Sequence, residues 1–296
     1  MASTTKARAK GLTNQVLHKL GYQLSRYDPQ HKEPKAFVDN VFGHRLYQNV
    51  DDIAINYGRF SGASLQKTGE LNPEMGFMIR ELKEGMHVID IGANVGLMTL
   101  LLAKLVGPAG TVTSFEPGPV SFALLKLNTL INGYKNITLV EKAVSAASGM
   151  ETLFICPTGE SDNQVSATDL GWKDEVRIAV PIETVSLDDY FSGGNHRRID
   201  FIKIDTQGGE YKALQGMQKL LARNHDIRLT IEYAPYLPLW NDLEPRVFLA
   251  FVRSLGFDIY DLESGKPERA SDQYLIETFP RDGKVHRMTT LLLQRG

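Results

Sequence analysis

At 296 residues, 42% of them hydrophobic and 23% charged, the chain carries enough apolar material for one large core and a small appendage. Lysine and arginine number 33 against 35 aspartates and glutamates, and the resulting net charge of -2 offers no electrostatic footprint for nucleic acid. No apolar run approaches the roughly 20 residues of a bilayer span, the lone Cys156 excludes an intramolecular disulfide, and without a secretory apolar stretch the expected location is the cytoplasm.

Residues 1–36 stand apart as a basic tail with a short amphipathic helix over Leu12 to Tyr27, interrupted by Pro29 and Pro34. Its Lys6, Arg8, Lys10, Lys19 and Arg26 suit peripheral contact with a membrane or partner; a frayed tail packed on the domain is the plainer alternative. Residues 37–84 are expected to form a cap region. Phe37 to Gln66 alternates like one or two strands, and Asn72, Pro73 and Glu74 open a helix running to Leu82, over the crevice of the following domain.

From residue 85 to 296 the periodicity switches between strand and helix at short intervals, as a doubly wound α/β sheet requires. The first strand ends in HVIDIGANVG, which places Asp90 before a turn punctuated by Gly92 and Gly96 and leading into the apolar helix Val95 to Leu105. Glycine accepts positive φ and lets a ligand approach the backbone, and Asn94 tolerates left-handed geometry. The spacing is G-x-x-x-G rather than the dinucleotide fingerprint G-x-G-x-x-G. Asp90 would repel a phosphate there but suits an ammonium group. The second strand, Thr111 to Phe115, ends at Glu116 and Pro117, where a carboxylate can accept hydrogen bonds from both ribose hydroxyls. An amino acid at one end and an unphosphorylated ribose in the middle describe S-adenosylmethionine.

Further on, a helix is expected over Val120 to Ile131, and strand three over Ile137 to Val144, with Ala143 and Val144 near the adenine. Met150 to Cys156 and Val176 to Val185 read as a hairpin insertion joined by the polar loop Pro157 to Asp174. Strand four, Phe201 to Ile204, ends at Asp205 before a helix over Gly209 to Ala222; strand five, Ile227 to Ile231, ends at Glu232 and Tyr233. Tyr236, Leu237 and Trp240 offer an acceptor wall in a proline-rich run. Glu244 to Leu255 is the last helix, Phe257 to Leu262 the sixth strand and Arg287 to Leu293 the seventh.

The ordered set VIDIGANVG, SFEP, KNITLVEKAVSAASG, IDFIKIDTQGGEYKALQGM and LTIEY resembles the class I S-adenosylmethionine-dependent methyltransferases, and among them the FkbM-type family. The resemblance covers Asn72 to Gln294 and implies a Rossmann-like, mostly parallel seven-stranded sheet of order 3-2-1-4-5-7-6. It departs after strand four, where the family's usual valine-glutamate-glycine-alanine run is Thr206, Gln207, Gly208 and Gly209. The resemblance implies a cofactor site at Asp90, Gly92, Ala93, Asn94, Gly96, Glu116, Pro117, Ala143 and Val144. It also implies methyl transfer to a sugar hydroxyl of a surface glycan or glycosylated natural product. A hydroxyl acceptor needs a base or a divalent ion such as Mg2+ or Mn2+. Asp205 is the expected base, with Glu210 and Glu232 as neighbouring acids; if an ion is used instead, Asp205 would hold it with Glu210 or Glu232. Two rivals remain open: an N-methyltransferase on a nucleic-acid or protein acceptor, and a cofactor-binding module without turnover. Strand four lacks the Asp/Asn-Pro-Pro-aromatic run of nucleic-acid amino methylases.

Overall fold

The computed structural model describes residues 36–41, 44–49, 72–155, 164–166, 178–193, 198–237, 243–281 and 287–296. The expected helix over Leu12 to Tyr27 lies outside them. β1 (Ala36–Val41) and β2 (His44–Asn49) pair antiparallel, and α1 (Pro73–Glu81) follows in the chain. Asn72 caps α1 as its sequence suggests: Oδ1 accepts from the amides of Glu74 at 2.9 Å and Met75 at 3.3 Å, worth about 1 kcal/mol.

The domain proper begins with β3 (His87–Ile91), α2 (Leu97–Val106), β4 (Thr111–Phe115), α3 (Pro119–Asn132) and β5 (Ile137–Val140). An insertion follows: β6 (Ala143–Val144), β7 (Gly149–Ile155), β8 (Gln164–Ser166), β9 (Ile178–Val185) and the single turn α4 (Leu187–Tyr190). The chain returns to the main sheet through β10 (Phe201–Ile204), α5 (Glu210–Gln215), α6 (Gln218–Arg223), β11 (Arg228–Tyr233) and α7 (Pro245–Ser254). It closes with β12 (Asp258–Asp261), β13 (Glu268–Arg269), α8 (Asp272–Thr278) and β14 (Thr289–Gln294).

The main sheet has eight strands in the order β13-β12-β14-β11-β10-β3-β4-β5, one more than the seven expected. The addition is β13, a two-residue strand on the outer edge of β12, too short and too charged to betray itself by alternation. β14 runs antiparallel to both its neighbours, so the sheet is mixed. The expected hairpin is a separate four-stranded sheet, β6-β9-β7-β8. Strand three is likewise not continuous to Val144: β5 stops at Val140, and Ala143 and Val144 leave the main sheet to pair with β9. The single helix expected over Gly209 to Ala222 is two. They break around Gly216, where a Cβ would stand 2.0 Å from the Ser145 carbonyl oxygen of the insertion.

The central strands are buried on both faces, which is why VIDI and FIKI are apolar almost throughout. One face of the sheet packs Ile89, Ile91, Ile202, Ile204, Ile231 and Leu291 against residues of α5 to α8. The other packs Val88, Val112, Phe201 and Leu292 against α1 and α2. Each large side chain buried this way contributes on the order of 1.5 to 3 kcal/mol.

Candidate functional site

On the face under α1 and α2, strand register lines up a buried polar row. Ser114 pairs with Asp90, Asp90 with Lys203, and Lys203 with Thr230, on four adjacent strands. The helices above supply further polar groups. Thr99 of α2 donates its hydroxyl to Asp90 Oδ2 at 2.6 Å and lies 3.0 Å from the Ser114 hydroxyl; Thr230 donates to Glu74 Oε1 of α1 at 2.6 Å. Lys203 Nζ stands 3.7 Å from Asp90 Oδ1 and 3.3 Å from Asp205 Oδ2. Burial raises the Asp90 and Glu74 carboxyls, against the pull of Lys203. Burial works to lower the Lys203 ammonium, but Asp205, Asp90 and Glu74 more than reverse it and hold it above the ordinary lysine value. Asp90 therefore does meet an ammonium, that of Lys203. Neither Lys203 nor Glu74 stood out as functional in the sequence; a lysine inside the apolar run FIKI was the available signal.

Beyond β3 the chain turns sharply, with φ of +79° at Gly92, +48° at Asn94 and +97° at Gly96. The amides of Gly92 and Ala93 both donate to the Phe115 carbonyl at 3.0 Å, tying the turn to the end of β4. A Cβ on Gly92 would stand 1.8 Å from the Asp205 carbonyl oxygen, and one on Gly96 2.6 Å from Leu125 Cδ1. The space the glycines leave open is thus filled by the protein itself: they let the turn close on β10 and α3. Glu116, buried at the end of β4, accepts from the Asn94 amide at 2.8 Å and the Gly118 amide at 2.7 Å. Those bonds fix the orientation of the carboxylate at the end of β4. Pro117 is half-buried beside it. Ala143 and Val144 are both core residues: Ala143 packs with Leu153 and Ile182, Val144 with the main cluster.

Across the turn lie the three acids expected from the sequence, two of which, Asp205 and Glu232, are joined through Gln207. Its amide nitrogen donates to Asp205 Oδ1 at 3.0 Å and to Glu232 Oε2 at 2.9 Å. Glu210, only 1% exposed, receives the Thr206 amide and hydroxyl, both at 2.9 Å, and the Gly208 amide at 3.1 Å, all on Oε1. Its Oε2 is buried without a hydrogen-bond partner. Burial first, then the charges of Asp205 and Glu210, push the Glu232 carboxyl well above the ordinary glutamate value; burial also raises Glu210. Asp205 differs: its side chain is 39% exposed. Among the described residues no group of three or more His, Cys, Asp or Glu is arranged to hold a metal ion. The Mg2+ or Mn2+ alternative therefore finds no ligand set there; an ammonium and an amide stand between the carboxylates instead. In the expected acceptor wall, Leu237 is a core residue and Tyr236 packs against the core, its hydroxyl 3.5 Å from Met288 Sδ. Trp240 lies outside the described residues, as does most of the Pro157 to Asp174 loop.

A model of the methyltransferase FkbM domain matches residues 90–259, more than half of the chain. Methyltransferase sdnD of Sordaria araneosa is 23% identical over 228 residues, 69% of this chain and 84% of the relative. The 31-O-demethyl-FK506 methyltransferase FkbM of Streptomyces tacrolimicus is 50% identical over 50 residues, 17% of this chain and 19% of the relative. A crystal structure of methyltransferase FkbM from Methylobacillus flagellatus overlays with a TM-score of 0.44 at 14% identity, covering 83% of this chain and 55% of the other; that likeness is too distant to argue from. The chain is an S-adenosylmethionine-dependent methyltransferase. Within that class it belongs to the FkbM methyltransferase family. Among the described residues no helix is long and apolar enough to cross a membrane.

Proposed function

We propose that the protein methylates a hydroxyl group, of a sugar in a surface glycan or of a glycosylated small molecule, with Asp205 as the base. The observation that carries this reading is the contrast within the acid cluster. Glu210 and Glu232 are buried with carboxyls raised, whereas Asp205 is open to an incoming acceptor while Lys203 and Gln207 hold it in place. The Streptomyces relative is named for methylation at an oxygen, which supports a hydroxyl acceptor.

On this reading residues 85–296 are the catalytic unit and α1 of the 37–84 segment covers it. The cofactor site comprises Asp90, Gly92, Ala93, Asn94, Gly96, Glu116, Pro117, Ala143 and Val144. Glu116 binds the ribose hydroxyls; Gly92, Ala93, Asn94 and Gly96 shape the turn beside it; Ala143 and Val144 form a packed floor on the adenine side. S-adenosylmethionine supplies an activated methyl group, so the protein must align the acceptor oxygen at about 3 to 3.5 Å and remove its proton. Asp205 Oδ takes that proton as the oxygen attacks.

The test is release of S-adenosylhomocysteine from S-adenosylmethionine in the presence of a glycan pool, with mass spectrometry locating the added methyl group. Asp205→Asn should bind S-adenosylmethionine within a few-fold of wild type but lose roughly 10² to 10⁴ in turnover. Normal turnover by that variant would remove Asp205 as the base, and a methyl group found on nitrogen would overturn the hydroxyl acceptor.

A further inference from the structure

Gln207 is held at a φ of +55°, left-handed geometry that a side chain other than glycine rarely adopts and that costs about 1 to 2 kcal/mol. What accompanies the strain is a specific contact. One amide nitrogen serves two carboxylates, Asp205 at 3.0 Å and Glu232 at 2.9 Å, from the ends of neighbouring strands β10 and β11. The orientation is dictated by chemistry, since an amide oxygen facing two carboxylates would be repelled and the NH2 group carries one hydrogen for each. Two acids converging at the end of a sheet are half of a hard-cation site, which takes oxygen ligands at about 2 Å. In this chain the position between them is taken by a neutral donor.

We propose that Gln207 is a positioning residue that fills the place a divalent cation would occupy between Asp205 and Glu232, so that the acceptor-side carboxylate is aligned by an amide instead of a metal. The inference rests on the reading of Asp205 as the base, but its deciding readout is metal binding rather than turnover. Asp205 is joined to the amide through Oδ1 and to Lys203 through Oδ2. One hydrogen-bonding partner on each oxygen fixes the carboxylate's plane.

Mn2+ alone is the probe, its free concentration followed by electron paramagnetic resonance. The wild-type protein should leave Mn2+ free at millimolar concentrations. Gln207→Glu should bind it, because a third carboxylate then joins Asp205 and Glu232, and adding Asp205→Asn should abolish that binding. Gln207→Gly suits the left-handed backbone and vacates the same space, so it should bind Mn2+ more weakly even if Gln207→Glu fails to fold. Gln207→Met, which keeps the length but not the hydrogens, should lower turnover by about tenfold or more at unchanged S-adenosylhomocysteine affinity. Asp205-dependent binding of Mn2+ by the wild type would overturn the proposal, as would folded Gln207→Glu and Gln207→Gly proteins that both leave Mn2+ free. Normal turnover in Asp205→Asn, with the Mn2+ results as expected, would instead overturn only the assignment of the base.

Discussion

Glu116 and Glu232 are both buried strand-end glutamates, yet their surroundings assign them opposite behaviour. Glu116 is held by two backbone amides. If it binds the ribose hydroxyls as proposed, replacing it with Ala removes charge-assisted bonds worth about 1.5 to 3 kcal/mol each, so S-adenosylmethionine affinity should fall at least about tenfold. Calorimetry showing unchanged affinity in a folded variant removes Glu116 from the cofactor site. Glu232 is destabilised as an anion by burial and by Asp205 and Glu210. Its folded-state pKa lies above the unfolded value, so folding favours the protonated form. The resulting cost is absent below the unfolded value and grows as pH rises through the interval between the two. Glu232→Gln should therefore melt at a higher temperature than wild type at neutral pH, with the gap closing near about pH 4; a gap independent of pH refutes this. The sequence displayed Glu116 and Asp205 because each directly follows a strand, and Glu232 because it stands near the end of one. It could not display Lys203 or Gln207 as their partners, since a contact across strands depends on register, and a left-handed glutamine has no local signature.

Gly92 shows how the turn that shapes a site is also a packing joint. Its φ of +79° and the 1.8 Å separation of a would-be Cβ from the Asp205 carbonyl make the turn after β3 a packing joint with β10. Gly92→Ala should lower unfolding free energy by roughly 3 kcal/mol or more, combining backbone strain with overpacking. A denaturant midpoint equal to wild type would contradict that. At this scale the sequence was most legible where the chain is most regular. β4 and β10 occupy their predicted spans, Thr111 to Phe115 and Phe201 to Ile204, because a buried strand between helices leaves an unbroken apolar run. It was least legible where tertiary contact cuts an element short. Nothing in ITLVEKAV marks the departure of Ala143 and Val144 from the main sheet, which is set by pairing with β9 some forty residues later. Nothing in the helical period over Gly209 to Ala222 marks the break at Gly216, where the Ser145 carbonyl leaves no room for a Cβ.

For the whole molecule, the cofactor reading predicts a ligand-linked change in stability. S-adenosylhomocysteine at about a hundred times its Kd should add about 2.7 kcal/mol and raise Tm by several degrees. NAD should leave Tm unchanged, because the turn lacks the glycine spacing that receives a pyrophosphate; stabilisation by NAD instead would overturn the site. The row Ser114, Asp90, Lys203 and Thr230 also bears on how such a molecule assembles. β3, β10 and β11 are parallel and far apart in sequence, and their apolar residues alone would accept several alignments. Sliding β10 by one residue past β3 would set Ile202 or Ile204 beside Asp90 and turn the Lys203 ammonium into the apolar layer beneath α5 to α8. An uncompensated buried charge costs several kcal/mol, comparable to much of a domain's net stability. The ion pair at the centre of the sheet thus acts as an indexing pin for strand register: a misaligned pairing is penalised, and the native one sets the turn after β3 opposite Asp205.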